Sequence, residues 1–286
     1  MKKIVLIAAV MAAVSFISTP VFAFDYNLDG YRGPVEFKFS DFTIGSLRQS
    51  SSNGYGNADG VADNFSIFKV STMKTPVAQT LWSDGDDGEE LTGILYGVDD
   101  DQWVVGADGI TYQSVGGIID VYLDNTPDFD PTLGPNARGS DDSTYPTVTD
   151  GQLFLRLALV PGIKYGDGDT ANDHITYQNH LDSTTSPFTG HGSFYLVVVE
   201  GYGTAEGLFD SNAWELVSDS GAVSYADFWA EFDSTTEGAA AIVPGTDNDW
   251  LSLSEDPIKG RAVPEPMSML LLGSGLVGLV GLRRKQ

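Results

Sequence analysis

Apolar positions in this chain come in short runs, and several of them alternate. In VEFKF (35–39), Val35, Phe37 and Phe39 face one way, and FSIFKVS (65–71) comes close to the same period of two. LTGILYG (91–97), GGIIDVYLD (116–124), LFLRLALV (153–160) and SFYLVVVEGYG (193–203) are rich in branched and aromatic residues. Turn-forming stretches separate them, among them NGYGNADG (53–60), DGDDGEE (84–90) and DNTPDFDPTLGPNARGSDD (124–142). Short strands, frequent turns and no long amphipathic pattern predict an all-β domain, an antiparallel β-sandwich of jelly-roll-like or immunoglobulin-like form. LFLRLALV is almost continuously apolar, which fits a central strand covered on both faces.

One segment breaks the period. In SYADFWAEF (224–232), Tyr225, Phe228, Trp229 and Phe232 fall at i, i+3, i+4 and i+7, and Ser224 with Asp227 matches a capping box. The spacing predicts one short amphipathic helix packed on the sheet. Residues 235–262 lose aromatic density and read as a low-complexity tether with one short strand at Trp250–Leu253. The expected domain therefore spans 24–234, and no internal repeat is visible.

The two ends have a different character. Lys2 and Lys3, an apolar stretch and the small residues of Val21-Phe22-Ala23 read as a signal peptide over 1–23, cleaved after Ala23. At the other end, VPEPMSMLLLGSGLVGLVGLRRKQ (263–286) holds an apolar run, Met267–Leu282, followed by Arg283, Arg284 and Lys285. A helix over 267–282 reaches about 24 Å, short of a hydrocarbon core of about 30 Å. It is marginal as a permanent anchor but long enough for transient contact with the inner membrane. The terminal basic cluster holds that end on the cytoplasmic side.

Charge narrows the function classes. The chain has 15 basic and 40 acidic residues. Five of the basic ones (Lys2, Lys3, Arg283, Arg284, Lys285) and one acid (Glu265) lie outside Phe24–Ala262, so the body keeps 10 and 39 and carries a net charge near −29. Such a surface repels phosphate backbones, which argues against a nucleic-acid partner and favours cations or a hydrated matrix. The chain has no cysteine, so disulfides, thiol nucleophiles and thiolate metal sites are excluded.

The candidate chemistry is carboxylate chemistry. DYNLDGYRGPVE (25–36) fits the calcium-loop pattern with Asp25, Asn27, Asp29, Gly30 and Glu36, although Pro34 interrupts the loop and Glu36 belongs to an alternating strand. YGDGDTANDH (165–174) offers Asp167, Asp169 and Asp173, and further clusters occur at Asp84–Glu90, Asp99–Asp101 and Asp124–Asp130. Carboxylates packed this closely repel one another unless solvated or bridged by a cation. No cofactor is required on this reading, with a structural calcium ion left open. His174, His180 and His191 lie near Asp173 and Asp182 without a recognised zinc spacing. No G-x-S-x-G elbow marks a nucleophile, and glycoside hydrolysis needs only two acids whose separation a sequence does not give. Trp82, Trp103 and Trp214 fit either core packing or stacking on sugars.

The order Val263-Pro264-Glu265-Pro266, a glycine-containing apolar run, then Arg283-Arg284-Lys285 at the terminus resembles the PEP-CTERM sorting signal of exported bacterial proteins. The resemblance implies an exosortase as processing partner, with Val263, Pro264, Glu265, Pro266 and the three terminal basic residues as recognition elements rather than catalysts. It also implies export across the inner membrane of a Gram-negative bacterium, to the cell surface or extracellular matrix. LWSDGDDGEELTGILYGVDDD (81–101) followed by GGIIDVYLD is similar to uncharacterised all-β domains found with this tail. The function expected is a non-enzymatic surface or matrix protein associated with exopolysaccharide, biofilm or floc. The alternative is a secreted carbohydrate-active enzyme or carbohydrate-binding module using surface carboxylates or aromatics.

Overall fold

The computed structural model describes residues 28, 31–44, 62–182, 189–235, 250, 252–254 and 257–263. Its strands are β1 (Gly33–Ile44), β2 (Asn64–Lys74), β3 (Thr80–Ser83), β4 (Glu90–Val105), β5 (Ile110–Asp124), β6 (Gln152–Val160), β7 (Tyr177–Leu181), β8 (Thr189–Val198), β9 (Trp214–Val217), β10 (Val223–Ala226), β11 (Phe228–Thr235), β12 (Ser252–Ser254) and β13 (Pro257–Ala262). One helical turn, α1 (Glu206–Phe209), lies between β8 and β9.

The strands close on themselves. β1, β13, β11, β8, β6, β5, β4 and β2 are neighbours in that order, and β2 returns to β1 with register Glu36↔Lys74 through Ile44↔Phe65. Every pairing is antiparallel. The fold is a closed eight-stranded barrel, which corrects the expected jelly-roll-like or immunoglobulin-like sandwich. Inward and outward residues alternate in both architectures, so a period of two cannot separate them.

Closure comes from features that the alternation hides. Bulges fall between Lys38 and Phe39, between Asn64 and Ser66, and between Val121 and Tyr122 of neighbouring pairs, and they bend long strands around the axis. Glycines inside strands do the rest. A Cβ on Gly93 would lie 2.1 Å from the Phe68 ring, one on Gly192 2.2 Å from Phe232, and one on Gly260 2.3 Å from Phe228. Each glycine lets a ring from a neighbouring strand lie flat on the inner wall.

That interior is a packed core. Phe37, Phe68, Phe154, Leu157, Leu196, Phe228 and Ile258 are buried there. An apolar void of about 30 Å³ lies among Phe37, Phe68, Phe154, Leu157, Phe228 and Ile258. On β6, Val121 pairs Leu155 and Tyr122 pairs Leu153, so Phe154 is the extra bulged residue and both Phe154 and Leu155 turn inward. This explains why 153–160 reads as continuously apolar.

The helix expected over 224–232 is a second correction: the segment forms β10 and β11, separated by Asp227. Phe228, Ala230 and Phe232 are buried at a period of two, while Tyr225 is exposed. The helical spacing is a coincidence of two strands that meet at an angle. Within the stretch read as a tether, Ser252–Ser254 and Pro257–Ala262 are strands of the barrel.

The β5–β6 connection, residues 125–151, lies across the outer wall. Tyr145 and Val148 pack on Phe65, Ile67 and Ile94 to form a second core, and Thr92 Oγ1 donates to the Val148 carbonyl at 2.8 Å. Trp250 stacks on Phe65 and its indole donates to the Pro131 carbonyl. Among the described residues, no helix is long and apolar enough to cross a membrane. The signal segment 1–23 with Ala23, and the apolar run 267–282, lie outside the described residues.

Candidate functional site

The connection that builds the second core also carries a carboxylate site. Glu90 opens β4 and Asp124 ends β5, directly opposite each other in the register. The chain then turns at Thr126, whose N–H donates to Asp124 Oδ1, and brings Asp128 back toward Glu90. Glu90 is buried. Its Oε1 accepts from the N–H groups of Asp128 (2.7 Å) and Phe129 (3.1 Å), and its Oε2 lies 3.1 Å from Lys69 Nζ. That last contact is an ion pair rather than a well-angled hydrogen bond. Lys69 Nζ also meets Asp84 at 2.9 Å. Burial works to lower the Lys69 pKa, but its bonds with Asp84 and Glu90 outweigh burial and raise it.

Ligand oxygens of Glu90, Asp124 and Asp128 all lie within 4.8 Å of one another, close enough to share one divalent cation. Partial desolvation, then the charges of Asp150, Glu90, Asp124 and Asp130, raise the Asp128 carboxyl above its ordinary range. Because Asp128 is exposed, the like charges are the part that a bound cation reverses. Its proton is held more tightly in the fold than in the unfolded chain. This group therefore favours the fold at acid pH, and that contribution is lost as pH rises through the folded pKa. Millimolar calcium or magnesium is expected to raise the melting midpoint at neutral pH and to leave it unchanged well below the carboxylate range. Asp128→Asn is expected to raise the cation-free midpoint and to remove the response. Calorimetry across pH checks both, and an equal response in the variant would count against the trio.

Next to this notch, the outward side chains of β5 continue as Tyr122 and Asp120. Asp120 is buried and holds Arg156 of β6 in a two-pronged pair, Nε at 2.6 Å and a terminal nitrogen at 2.7 Å. The Tyr96 hydroxyl donates to Asp120 Oδ2 at 3.1 Å, and the Tyr122 phenol lies near the same carboxylate. Burial, then the Asp120 charge, pushes both phenols up to about 12. The Arg156 guanidinium lies 4.5 Å from the centre of the exposed Tyr202 ring. Asp124, Tyr122, the Arg156–Asp120 pair and Tyr202 therefore form one outward strip, acidic at one end and aromatic at the other. With side chains on one face repeating about every 6.8 Å, its strand portion spans about 14 Å.

The residues singled out in the sequence are spread widely. Asp25, Asn27 and Asp29 lie outside the described residues, and Glu36 sits half-buried on β1 opposite Lys74 and Lys259. Asp167 accepts from the Asp169 N–H and pairs with Lys164, and Asp169 accepts from the Ala171 N–H. Asp173 accepts from the N–H groups of Asp219 and Ser220. Asp167 and Asp169 also both accept from Asn172 Nδ2, at 3.5 and 3.4 Å, while Asp173 ties down the separate turn at Asp219 and Ser220. His174 pairs with Asp101, while His180 and His191 face each other across β7 and β8. Trp82 is core, Trp103 packs edge-on to Tyr112, and Trp229 points outward, stacked on Tyr195 beneath Lys259. Sequence reading placed Glu90 and Asp128 in separate clusters, since 38 residues separate them. The β4–β5 register, anchored by the apolar runs 91–97 and 116–124, is the signal that joins them.

Val263, the first residue of the terminal motif, is half-buried, and its N–H donates to the Leu208 carbonyl at 2.8 Å. Pro264, Glu265, Pro266, Arg283, Arg284 and Lys285 lie outside the described residues. Comparison with curated proteins and with solved structures found no match. A family model described as the PEP-CTERM protein-sorting motif matches residues 262–285. The chain thus carries a PEP-CTERM sorting motif directly after its last barrel strand, and this marks it as an exosortase substrate exported to the cell surface of a Gram-negative bacterium.

Proposed function

We propose that the protein is an exported, non-catalytic polysaccharide-binding module acting at the cell surface or in the extracellular matrix. The observation that carries this reading is the continuous outward strip from the Glu90–Asp124–Asp128 notch through Tyr122 to Arg156 and Tyr202. Aromatic faces stack on the apolar faces of sugar rings, and the guanidinium donates to hydroxyl or carboxylate oxygens. A body with a charge near −29 repels an acidic polysaccharide, so calcium held in the notch would bridge protein and polymer carboxylates. Matrix, biofilm or floc association follows from this binding. Residues 267–282 would touch the inner membrane only until the exosortase acts.

Co-sedimentation of the purified full chain with a uronic-acid polymer, with calcium and with chelator, tests the proposal. Calcium-dependent binding that Asp124→Asn with Asp128→Asn abolishes, and that Tyr202→Ala weakens about tenfold through loss of a stacking contact of roughly 1–1.5 kcal/mol, is the expected outcome. Binding indifferent to all three changes overturns it, and release of new reducing ends would favour the hydrolase reading instead.

A further inference from the structure

We infer that His180, His191 and Asp182 form a binding site for a transition-metal ion of zinc(II) type, separate from the polysaccharide strip. His180 on β7 and His191 on β8 are directly opposite in the antiparallel register. Asp182 follows two residues after His180, so its side chain leaves on the same side of the sheet. Asp182 Oδ1 lies 3.9 Å from His180 Nε2 and 3.5 Å from His191 Nδ1. Ligands bound to zinc at about 2.0–2.1 Å in a tetrahedron sit roughly 3.3 Å apart, so Asp182 is placed to serve both imidazoles, while His180 Nε2 and His191 Nδ1 stand more than 4.8 Å apart and converge only if the His191 ring turns. The two imidazole rings are 5.3 Å apart at 47°. His191 is 63% exposed and free to turn its ring toward the shared position.

One further feature favours a ligand role over a plain surface ion pair. His180 is only 18% exposed, and its Nδ1 lies 2.8 Å from Thr111 Oγ1. In the tautomer with its proton on Nδ1, the Thr111 hydroxyl accepts from Nδ1–H, fixes the ring and leaves the Nε2 lone pair for a metal, the usual outer support of a ligating histidine. Two imidazoles and a carboxylate make a borderline donor set suited to zinc, copper(II) or nickel(II), unlike the all-oxygen notch at Glu90. With three protein ligands, the fourth position is left to water or to a donor from a partner molecule.

The test is competitive titration of zinc(II) against a chromophoric chelator, using the full chain without a polyhistidine tag. His180→Ala and His191→Ala are each expected to weaken binding at least tenfold, and Asp182→Asn less. His174→Ala and Asp124→Asn are expected to leave it unchanged, which separates this site from the calcium notch and from the other histidine. Cobalt(II) should give the intense visible bands of four-coordinate geometry, lost with His191→Ala. Because His191 is exposed, that variant should keep the fold even where His180→Ala fails to. Zinc affinity unaltered in His191→Ala, or equally reduced by His174→Ala, overturns the site.

Discussion

Replacing Asp227 with alanine is expected to cost the barrel about 4 kcal/mol and to unfold much of it at physiological temperature. Asp227 is fully buried between β10 and β11. Its Oδ2 accepts from the Val198 N–H at 2.8 Å, and its Oδ1 accepts from the N–H groups of Ser211 and Asn212, each at 2.6 Å. One carboxylate thus ends β8, fixes the segment after α1 and sets the corner into β11. Alanine leaves three N–H donors without partners, each costing roughly 1–3 kcal/mol, less where water reaches the loop. Asparagine keeps one acceptor oxygen and should lose about half as much. Glu231→Gln, on an outward and exposed position of the same strand, should fall within about 0.5 kcal/mol of the parent. Urea unfolding midpoints at constant slope distinguish the three. An alanine variant as stable as the glutamine one would mean that the corner is held by packing alone.

The same residue shows where sequence reading reaches its limit. Asp227 read as the fourth position of a capping box, because Tyr225, Phe228, Trp229 and Phe232 happen to repeat at helical spacing. Two short strands meeting at a buried carboxylate give the same spacing, and only the partners of that carboxylate, far off in the chain, decide between them. The all-β character was legible because Val35, Phe37 and their counterparts alternate locally. Closure was not, because it rests on which strand meets which and on Gly93, Gly192 and Gly260, whose aromatic neighbours lie on other strands. Of the candidate site, the acids were visible but their convergence was not. Asp167 and Asp169 stay together at Asn172 while Asp173 holds a different turn, whereas Glu90 and Asp128 meet through strand register. The sorting motif is contiguous and needs no fold to be read.

Ending the chain after Asp256 should abolish the barrel, whereas ending it after Val263 should leave its stability unchanged. β13 fills the gap between β1 and β11, pairing Gly33↔Ala262 through Lys38↔Pro257 on one side and Trp229↔Lys259 on the other. Ile258 and Ala262 are buried, and Phe228 lies against Gly260. Without β13 the wall loses a strand bonded on both sides and exposes the rings of Phe37 and Phe228, which pack edge-on at 5.8 Å. That loss is comparable with the roughly 5–15 kcal/mol by which a whole domain is stable, and it leaves two open strand edges ready to pair with other chains. The shorter chain should aggregate or bind a hydrophobic dye without a cooperative unfolding transition. Ile258→Asp should approach the same state by placing a charge in the core. The position of the motif then has a consequence for processing. Ala262 is the last strand residue, and Val263 is already tied to Leu208, so a cut that preserves the barrel must fall beyond Val263. Intact mass of the exported protein should end at or after that residue. A mature form ending before Pro257 that still unfolds cooperatively would show that the barrel closes without its final strand.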